Sequence, residues 1–193
     1  PLPYLHEIRF NGGEPLLQPI VRQITEHIAE VRPDLKVTIA TNGTVLNRHV
    51  HDLLARCNVH INLSIDSLLP ERYARIRVNG DLEKVLEHFE VYHRYCREGE
   101  RNLCIMVNPM RINWDEMADY VHWCNERNVH LWFNTIRYPK HLSLHNLSAE
   151  ELRHIQTTLA AKQVPEVGDD PGDEIRRHNV AVFRRFVDHQ LTS

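Results

Sequence analysis

Five short apolar segments, each followed by an amphipathic helix, are the feature of this sequence that most constrains its fold. The segments either alternate apolar and polar residues or are apolar throughout, as strands do, and the intervening stretches show helical spacing. Each interval is long enough for a helical crossover between parallel strands. We therefore predict an α/β fold with a parallel sheet and helices outside it, as an open sheet or a barrel. The predicted strands are 7–10, 36–40, 59–65, 103–107 and 129–133. Two helix starts have the pattern of a capping box, Asn113 with Glu116 and Ser148 with Glu151.

Size and composition fit a soluble globular protein. The chain has 193 residues, 42% apolar and 25% charged, with a formal net charge of −3. This balance gives no clear nucleic-acid signal and no reason to expect an anionic membrane as partner. No apolar run has the length of a membrane span, and no signal peptide is recognisable. We expect a cytoplasmic protein.

Cysteine and histidine offer little support for a metal site. No two of the four cysteines have the spacing of a C-x-x-C pair, so reduced, buried thiols are expected. His141 and His145 are four residues apart and would share one face of a helix, but no acidic residue is near. We therefore predict no metal ligands in this chain. A TIM-like metal hydrolase that uses histidines remains an open alternative, which metal analysis would test.

Polar residues or glycines follow every predicted strand. In a parallel sheet all of these positions lie at one edge, where ligands bind in α/β folds. Taken singly, each is typical of a loop cap or an Asx turn. Together they favour a ligand pocket whose short polar side chains suit ribose hydroxyls and amino-acid groups. These residues are Asn11-Gly12-Gly13-Glu14, Thr41-Asn42-Gly43, Ser64, Asp66, Asn108 and Asn134.

The end of the first strand is the most informative of these positions. Gly12 and Gly13 allow positive φ and leave backbone amide and carbonyl groups uncovered. Pro15 supplies a fixed φ at the start of the next helix, so Glu14 is held in the βα loop. A carboxylate beside bare carbonyls suits an ammonium group. The alternative is a plain strand–turn–helix connection with a solvated glutamate.

The run from Phe10 to Leu17 resembles the glycine-glycine-glutamate-proline motif of radical S-adenosylmethionine (SAM) enzymes. Thr41-Asn42-Gly43, Leu63-Ser64-Ile65-Asp66-Ser67 and Arg75-Ile76-Arg77-Val78-Asn79-Gly80 match that family in order and spacing. The resemblance covers roughly residues 4–136. It implies a partial TIM-type (β/α)6 barrel in which this chain supplies strands two to six plus C-terminal helices.

The resemblance also implies roles for individual residues. Gly12, Gly13 and Glu14, with Pro15 and Asn42 beside them, match the region that binds the methionine ammonium of SAM. Ser64 and Asp66 match positions by the ribose, and Arg77 matches one by the SAM carboxylate, where an Arg–carboxylate pair is physically sensible. Asn108 and Asn134 match regions near the ribose and adenine. Arg77 also has a simpler interpretation, as a solvated helix residue.

One large departure separates this chain from the family pattern. The family's C-x-x-x-C-x-x-C loop, whose thiolates hold a 4Fe-4S cluster, would lie before Pro1, and the cysteines present do not replace it. We therefore expect that the sequence begins inside a longer protein and that this chain alone is inactive. The predicted domains are 1–136, the partial barrel, and 137–193, a C-terminal loop and helices that begin a possible extension.

The leading functional hypothesis is a fragment of a radical SAM enzyme. The complete protein is expected to cleave SAM reductively to a 5′-deoxyadenosyl radical, with an electron donor such as flavodoxin or ferredoxin, and to abstract hydrogen from an unknown substrate. No acid–base pair or nucleophile in this chain stands out as catalytic. The alternative is a cluster-less pseudoenzyme or a module that binds a nucleotide-like ligand or a protein partner. An upstream C-x-x-x-C-x-x-C would favour the enzyme.

Overall fold

The computed structural model describes residues 4–190, so the outermost ends of the two predicted domains lie outside the described residues. The strands are β1 (Glu7–Phe10), β2 (Lys36–Thr41), β3 (Asn58–Ser64), β4 (Leu103–Val107) and β5 (His130–Phe133). The helices are α1 (Pro19–Val31), α2 (Arg48–Arg56), α3 (Pro70–Ile76), α4 (Leu82–Glu98), α5 (Met117–Arg127), α6 (Ala149–Ala160) and α7 (Glu174–Arg185). Short 3-10 turns include Pro15–Leu17 and Trp114–Glu116.

The five strands form one sheet in the order β1-β2-β3-β4-β5, which confirms the predicted α/β class. β1 runs parallel to β2, and β2 runs parallel to β3 in a register that places Lys36 opposite Asn58 and Thr41 opposite Leu63. The predicted limits of β1 and β4 are confirmed. The others were wrong by one residue, since β2 ends one residue later than expected, β3 begins and ends one residue earlier, and β5 begins one residue later. Such shifts leave the polar strand ends in place.

The chain divides into two compact units. The first unit contains the chain up to Ser64 together with Gly80–Cys104. The second contains Ile65–Asn79 and the chain from Ile105 onward. Each unit therefore consists of two separate segments of the chain, which alternate along the sequence. The predicted boundary near residue 136 remains a prediction.

The core of the first unit lies between the strands and their helices. Residues of β3 alternate between buried and half-buried, as the period-two pattern predicts. Helix α4 covers this sheet with Val85, Phe89 and Tyr92, which are at most 1% exposed. Burying such side chains stabilises the fold by roughly 1.5–3 kcal/mol each.

The core of the second unit is built around α5, α7 and β5. Leu131 and Phe133 of β5 are buried, and the Phe133 ring lies 5.2 Å from that of Phe186. Asn179 of α7 accepts a hydrogen bond from Leu131 N at 2.7 Å and donates to Val129 O at 2.9 Å. The side chain thereby satisfies backbone groups beside β5 that would otherwise be unpaired.

Two capping predictions have opposite outcomes. The predicted capping box of Ser148 and Glu151 is confirmed, since each side chain accepts a hydrogen bond from the backbone N–H of the other residue. The box predicted for Asn113 and Glu116 is wrong, because Asn113 makes no capping bond. Its amide group is instead used in contacts at the strand ends.

The structure also settles the cysteine and histidine expectations. Cys57, Cys96, Cys104 and Cys124 are all reduced and buried, as predicted. Burial raises the pKa of Cys96 and of Cys104 to about 12. His141 and His145 do not share a helix, because His145 lies in a 3-10 turn, Leu144–Asn146, and His141 precedes it. Residues 4–188 contain no group of three or more His, Cys, Asp or Glu side chains placed to hold a metal.

No helix within residues 4–190 combines the length and apolar character that a membrane span requires.

Candidate functional site

The first strand delivers Glu14 through a turn that depends on two glycines. Gly12 and Gly13 follow β1 with φ angles of +85° and +57°, a region that glycine adopts far more readily than other residues. Within the described part of the chain, nothing lies within 4 Å of the Cβ that either glycine would carry if substituted. Both residues are exposed, so the backbone of the turn is open to a ligand. Glu14 then caps the turn Pro15–Leu17.

The Glu14 carboxylate is buried, with 8% of the residue exposed, and it accepts three hydrogen bonds. Oε1 accepts from the Thr41 hydroxyl at 2.8 Å and from Leu16 N at 3.2 Å. Oε2 accepts from Asn42 N at 2.8 Å. The expectation of a solvated glutamate is therefore wrong, because the end of β2 and the following turn enclose the carboxylate.

All three donors to Glu14 are electrically neutral. Among residues 4–188 no Lys, Arg or His side chain forms an ion pair with this carboxylate. Burial, followed by the negative charge of Glu14, raises the pKa of Tyr92 well above its usual value. A buried carboxylate without a counter-ion is costly, and a cationic ligand would relieve that cost.

The loop after β2 is held rigidly where it meets Glu14. Gly43 has a φ of +73°, and a Cβ there would lie 2.7 Å from Leu63 Cδ1. Its carbonyl oxygen lies 2.7 Å from His88 Nδ1, and the Tyr92 hydroxyl donates to Val45 O at 2.7 Å. These contacts fix the backbone N–H that reaches Glu14.

The predicted residue Asn42 contributes mainly through its backbone. Its side-chain oxygen accepts from Thr44 N at 2.9 Å and from the Thr44 hydroxyl at 2.6 Å, which is the Asx-turn role that the sequence left open. Its N–H is one of the donors to Glu14. Asn42 therefore supports the carboxylate.

In the second unit, Asp66 lies two residues after β3 and is only 3% exposed. Oδ1 accepts from the Asn108 backbone N–H at 2.9 Å and from its side-chain Nδ2 at 2.8 Å. Oδ2 accepts from Arg77 Nε at 2.9 Å and lies 2.7 Å from Arg77 Nη2. Three hydrogen bonds and one further ion-pair contact therefore surround this carboxylate, and one of its two partners is a cation.

Arg77 lies just after α3, and its backbone N–H closes that helix on Tyr73 O. Its side chain is 25% exposed and is held by Asp66, so the simpler interpretation as a solvated helix residue is wrong. The Nη1 group has no partner in the described residues, which leaves donors for an incoming anion. Asp66 thus orients the planar guanidinium through Nε and Nη2, and Nη1 remains available to a ligand.

The remaining predicted residues lie at the ends of three strands. Ser64 is the last residue of β3, is half-buried, and its hydroxyl has no hydrogen-bond partner in the described chain. Asn108 follows β4 and is bound to Asp66. Asn134 follows β5, and its N–H donates to Val107 O at 2.8 Å. The structure thus joins Glu14 with Asn42 in one cluster and Asp66, Arg77 and Asn108 in another.

The sequence interpretation missed two supporting residues. The sequence places Thr41 in the Thr41-Asn42-Gly43 motif but assigns no role to its side chain, yet its hydroxyl donates to Glu14. Asn113 was assigned to a helix cap, yet its Nδ2 donates to Asp66 O at 2.6 Å. The position of Thr41 at the end of a strand next to the one that precedes Glu14 was an available signal for its role. No local signal marked the role of Asn113.

Comparison with known proteins identifies relatives of the chain. A sequence profile of the radical SAM superfamily matches residues 2–131. A GTP 3′,8-cyclase of Alkaliphilus oremlandii is 36% identical over 139 residues, which are 67% of this chain and 40% of the relative. A GTP 3′,8-cyclase of Synechocystis sp. is 30% identical over 171 residues, which are 86% of this chain and 51% of the relative.

Among solved structures, Streptococcus suis SuiB bound to S-adenosylmethionine has a similar fold. The TM-score is 0.56 at 14% sequence identity, over 80% of this chain and 36% of SuiB. At this identity the similarity shows the fold alone. The chain spans about two fifths to one half of the length of the two cyclases.

Proposed function

The chain belongs to the radical SAM superfamily, and from this membership we propose that it is the SAM-binding core of an enzyme that cleaves SAM reductively. The turn Gly12-Gly13-Glu14 would hold the methionine ammonium, and Arg77 would hold the methionine carboxylate. Ser64 would contact the ribose, while Asn108 and Asn134 would lie near the ribose and adenine. Pro15 and Asn42 would support Glu14.

The observation that carries this proposal is that the Glu14 carboxylate is buried and accepts hydrogen bonds only from neutral groups. Its carboxylate is 8% exposed and receives only neutral donors, beside a glycine turn whose backbone is open. An ammonium group would complete that arrangement, because it supplies the missing positive charge and hydrogen-bond donors for exposed carbonyls. The fit supports SAM over a neutral ligand.

The cluster around Asp66 supports a revised role for one predicted residue. The Asp66 carboxylate already accepts three hydrogen bonds and has the Arg77 Nη2 atom 2.7 Å from Oδ2, so its capacity to bind a ribose hydroxyl is largely used. We propose that Asp66 orients the Arg77 guanidinium, and that the ribose is bound by the free Ser64 hydroxyl. The unused Nη1 of Arg77 suits the SAM carboxylate.

The cysteines of this chain do not fit an iron–sulfur cluster, because all four are buried and burial raises the pKa of three of them, Cys57, Cys96 and Cys104. We propose that a 4Fe-4S cluster is held elsewhere in the complete protein. Such a cluster supplies the electron that SAM cleavage requires. Flavodoxin or ferredoxin is the proposed donor, and the cytoplasm the proposed location.

A cationic loop supports a nucleotide as the substrate of the complete protein. Residues 134–149 contain no Asp or Glu, although the whole chain has a net charge of −3. Arg137, Tyr138, Lys140, His145 and Asn146 line a cavity of about 420 Å³ in this loop. The relatives are named GTP 3′,8-cyclases. We therefore propose a purine nucleoside triphosphate as the substrate, with its phosphates at this loop.

Two experiments test the proposal. Calorimetric titration of this chain should detect binding of SAM and of GTP, with guanosine binding at least tenfold more weakly than GTP. The complete protein, with its cluster reconstituted anaerobically and a reductant present, should release 5′-deoxyadenosine from SAM.

Each titration has an outcome that contradicts its part of the proposal. No heat with SAM would remove the cofactor assignment, and equal affinity for guanosine and GTP would remove the phosphate site. SAM binding without 5′-deoxyadenosine from the complete protein would favour the pseudoenzyme alternative.

A further inference from the structure

A buried amide ties together the ends of β3 and β4. Asn113 is 0% exposed, and its Oδ1 accepts from Met110 N at 2.6 Å. Its Nδ2 donates to Asp66 O at 2.6 Å and to Asn108 O at 3.0 Å. One side chain therefore fixes three backbone groups in the second unit.

These contacts close a ring with the Asp66 carboxylate. The Asp66 carboxylate accepts hydrogen bonds from the backbone and the side chain of Asn108. The Asn113 amide in turn donates to the main-chain carbonyls of both Asp66 and Asn108. A ring of this kind leaves the Asp66 carboxylate little freedom to turn, so the Arg77 guanidinium that it holds is fixed as well. In a buried site each of these hydrogen bonds is expensive to lose.

We infer that Asn113 is a positioning residue for the cofactor's carboxylate. It acts through Asp66 on Arg77 and touches no ligand itself. The inference rests on the proposed function, because it explains what orients the Arg77 guanidinium at the proposed SAM site.

The chain provides a matched control in Asn179. That residue is also 0% exposed, and its Oδ1 also accepts one backbone hydrogen bond, from Leu131 N. Its Nδ2 also donates twice, to Val129 O and to Asn125 Oδ1, each at 2.9 Å. Asn113 and Asn179 therefore have equal burial and equal numbers of hydrogen bonds, but only Asn113 contacts Asp66 and Asn108.

The test compares Asn113→Asp with Asn179→Asp. Each substitution keeps the side-chain shape and removes two donated hydrogen bonds, so both should lower the melting temperature to a similar extent. The ligands are SAM and its decarboxylated analogue, which lacks the group that Arg77 would bind. Wild type and Asn179→Asp should prefer SAM by at least tenfold, and Asn113→Asp should lose that preference. An unchanged preference in Asn113→Asp would overturn the inference.

A second measurement separates this inference from the proposed function. The Arg77 Nε–H resonance in nitrogen-15 NMR spectra reports its bond to Asp66 without any ligand. It should be protected from exchange in wild type and Asn179→Asp, and lost in Asn113→Asp, even if SAM fails to bind. Protection retained in Asn113→Asp would contradict the positioning role. If either aspartate variant fails to fold, Asn113→Ser and Asn179→Ser replace the pair with the same expectations.

Discussion

Glu14 and Asp66 are both carboxylates that follow parallel strands, and both are buried, at 8% and 3% exposure. Their partners differ. Glu14 accepts hydrogen bonds only from neutral groups, whereas Asp66 is bound by the Arg77 guanidinium and by Asn108. Neutral donors leave the carboxylate of Glu14 without a counter-ion among the described residues, whereas Arg77 is the counter-ion of Asp66.

The difference teaches that similar positions at strand ends serve different purposes. A buried carboxylate without a counter-ion has a free-energy cost that the binding of a cation relieves, as expected of a ligand-binding group. A compensated carboxylate holds its partner in place, which is the role of a support. Burial and strand position alone do not separate these roles, but the charge of the hydrogen-bond donors does.

The largest expected effect tests whether Asp66 is compensated. Arg77→Met leaves a buried carboxylate without its cation, and we expect the free energy of unfolding to fall by about 3 kcal/mol. Urea denaturation followed by circular dichroism measures this change. Arg22→Met is the control, because the Arg22–Glu26 pair is exposed, and it should leave stability nearly unchanged. Equal effects of the two substitutions would contradict the assigned role of Asp66.

A smaller effect tests how Glu14 is held. Gly43→Ala combines a φ of +73° with a Cβ only 2.7 Å from Leu63 Cδ1, so a loss of about 2–3 kcal/mol is expected. Gly12→Ala has the same kind of strain in open space and should cost about 1 kcal/mol. The two variants are compared by thermal and urea denaturation. A larger loss for Gly12→Ala would show that the turn before Glu14 is packed more tightly than described.

The smallest effect concerns a third carboxylate, which is paired but more exposed. The hydrogen bonds from the Arg9 guanidinium and then from Thr38 lower the pKa of Glu7 from 4.5 to about 2. Because the folded-state pKa is depressed, the stabilisation is fully present above about pH 4.5 and is lost as the pH falls toward 2. Glu7→Gln should flatten the pH dependence of the melting temperature across that range. An unchanged slope would contradict the pairing.

The local features of the fold were predictable from sequence. The alternation in 59–65 predicted β3 to within one residue, and Ser148 with Glu151 predicted a helix start, because each signal lies within a few adjacent residues. The glycine turn before Glu14 was predictable for the same reason.

The supports of the site were not predictable, because their partners are distant in sequence. Asn113 looked like a helix cap because Glu116 follows it three residues later, but its real partner Asp66 lies 47 residues away. Glu116 likewise accepts from the Ser67 hydroxyl at 2.8 Å, 49 residues away. Thr41 and Arg77 likewise act through partners 27 and 11 residues away, Glu14 and Asp66, which only the fold brings together. A single sequence does not indicate which distant residues will form hydrogen bonds with each other.

The central claim is that the uncompensated carboxylate of Glu14 binds the ammonium of SAM. The most direct measurement is calorimetric titration of wild type and Glu14→Gln with SAM and with 5′-methylthioadenosine, which lacks the amino-acid portion. Wild type should prefer SAM by at least tenfold, and Glu14→Gln should bind SAM at least tenfold more weakly while its affinity for 5′-methylthioadenosine stays unchanged. SAM affinity that is the same in both proteins would contradict the account.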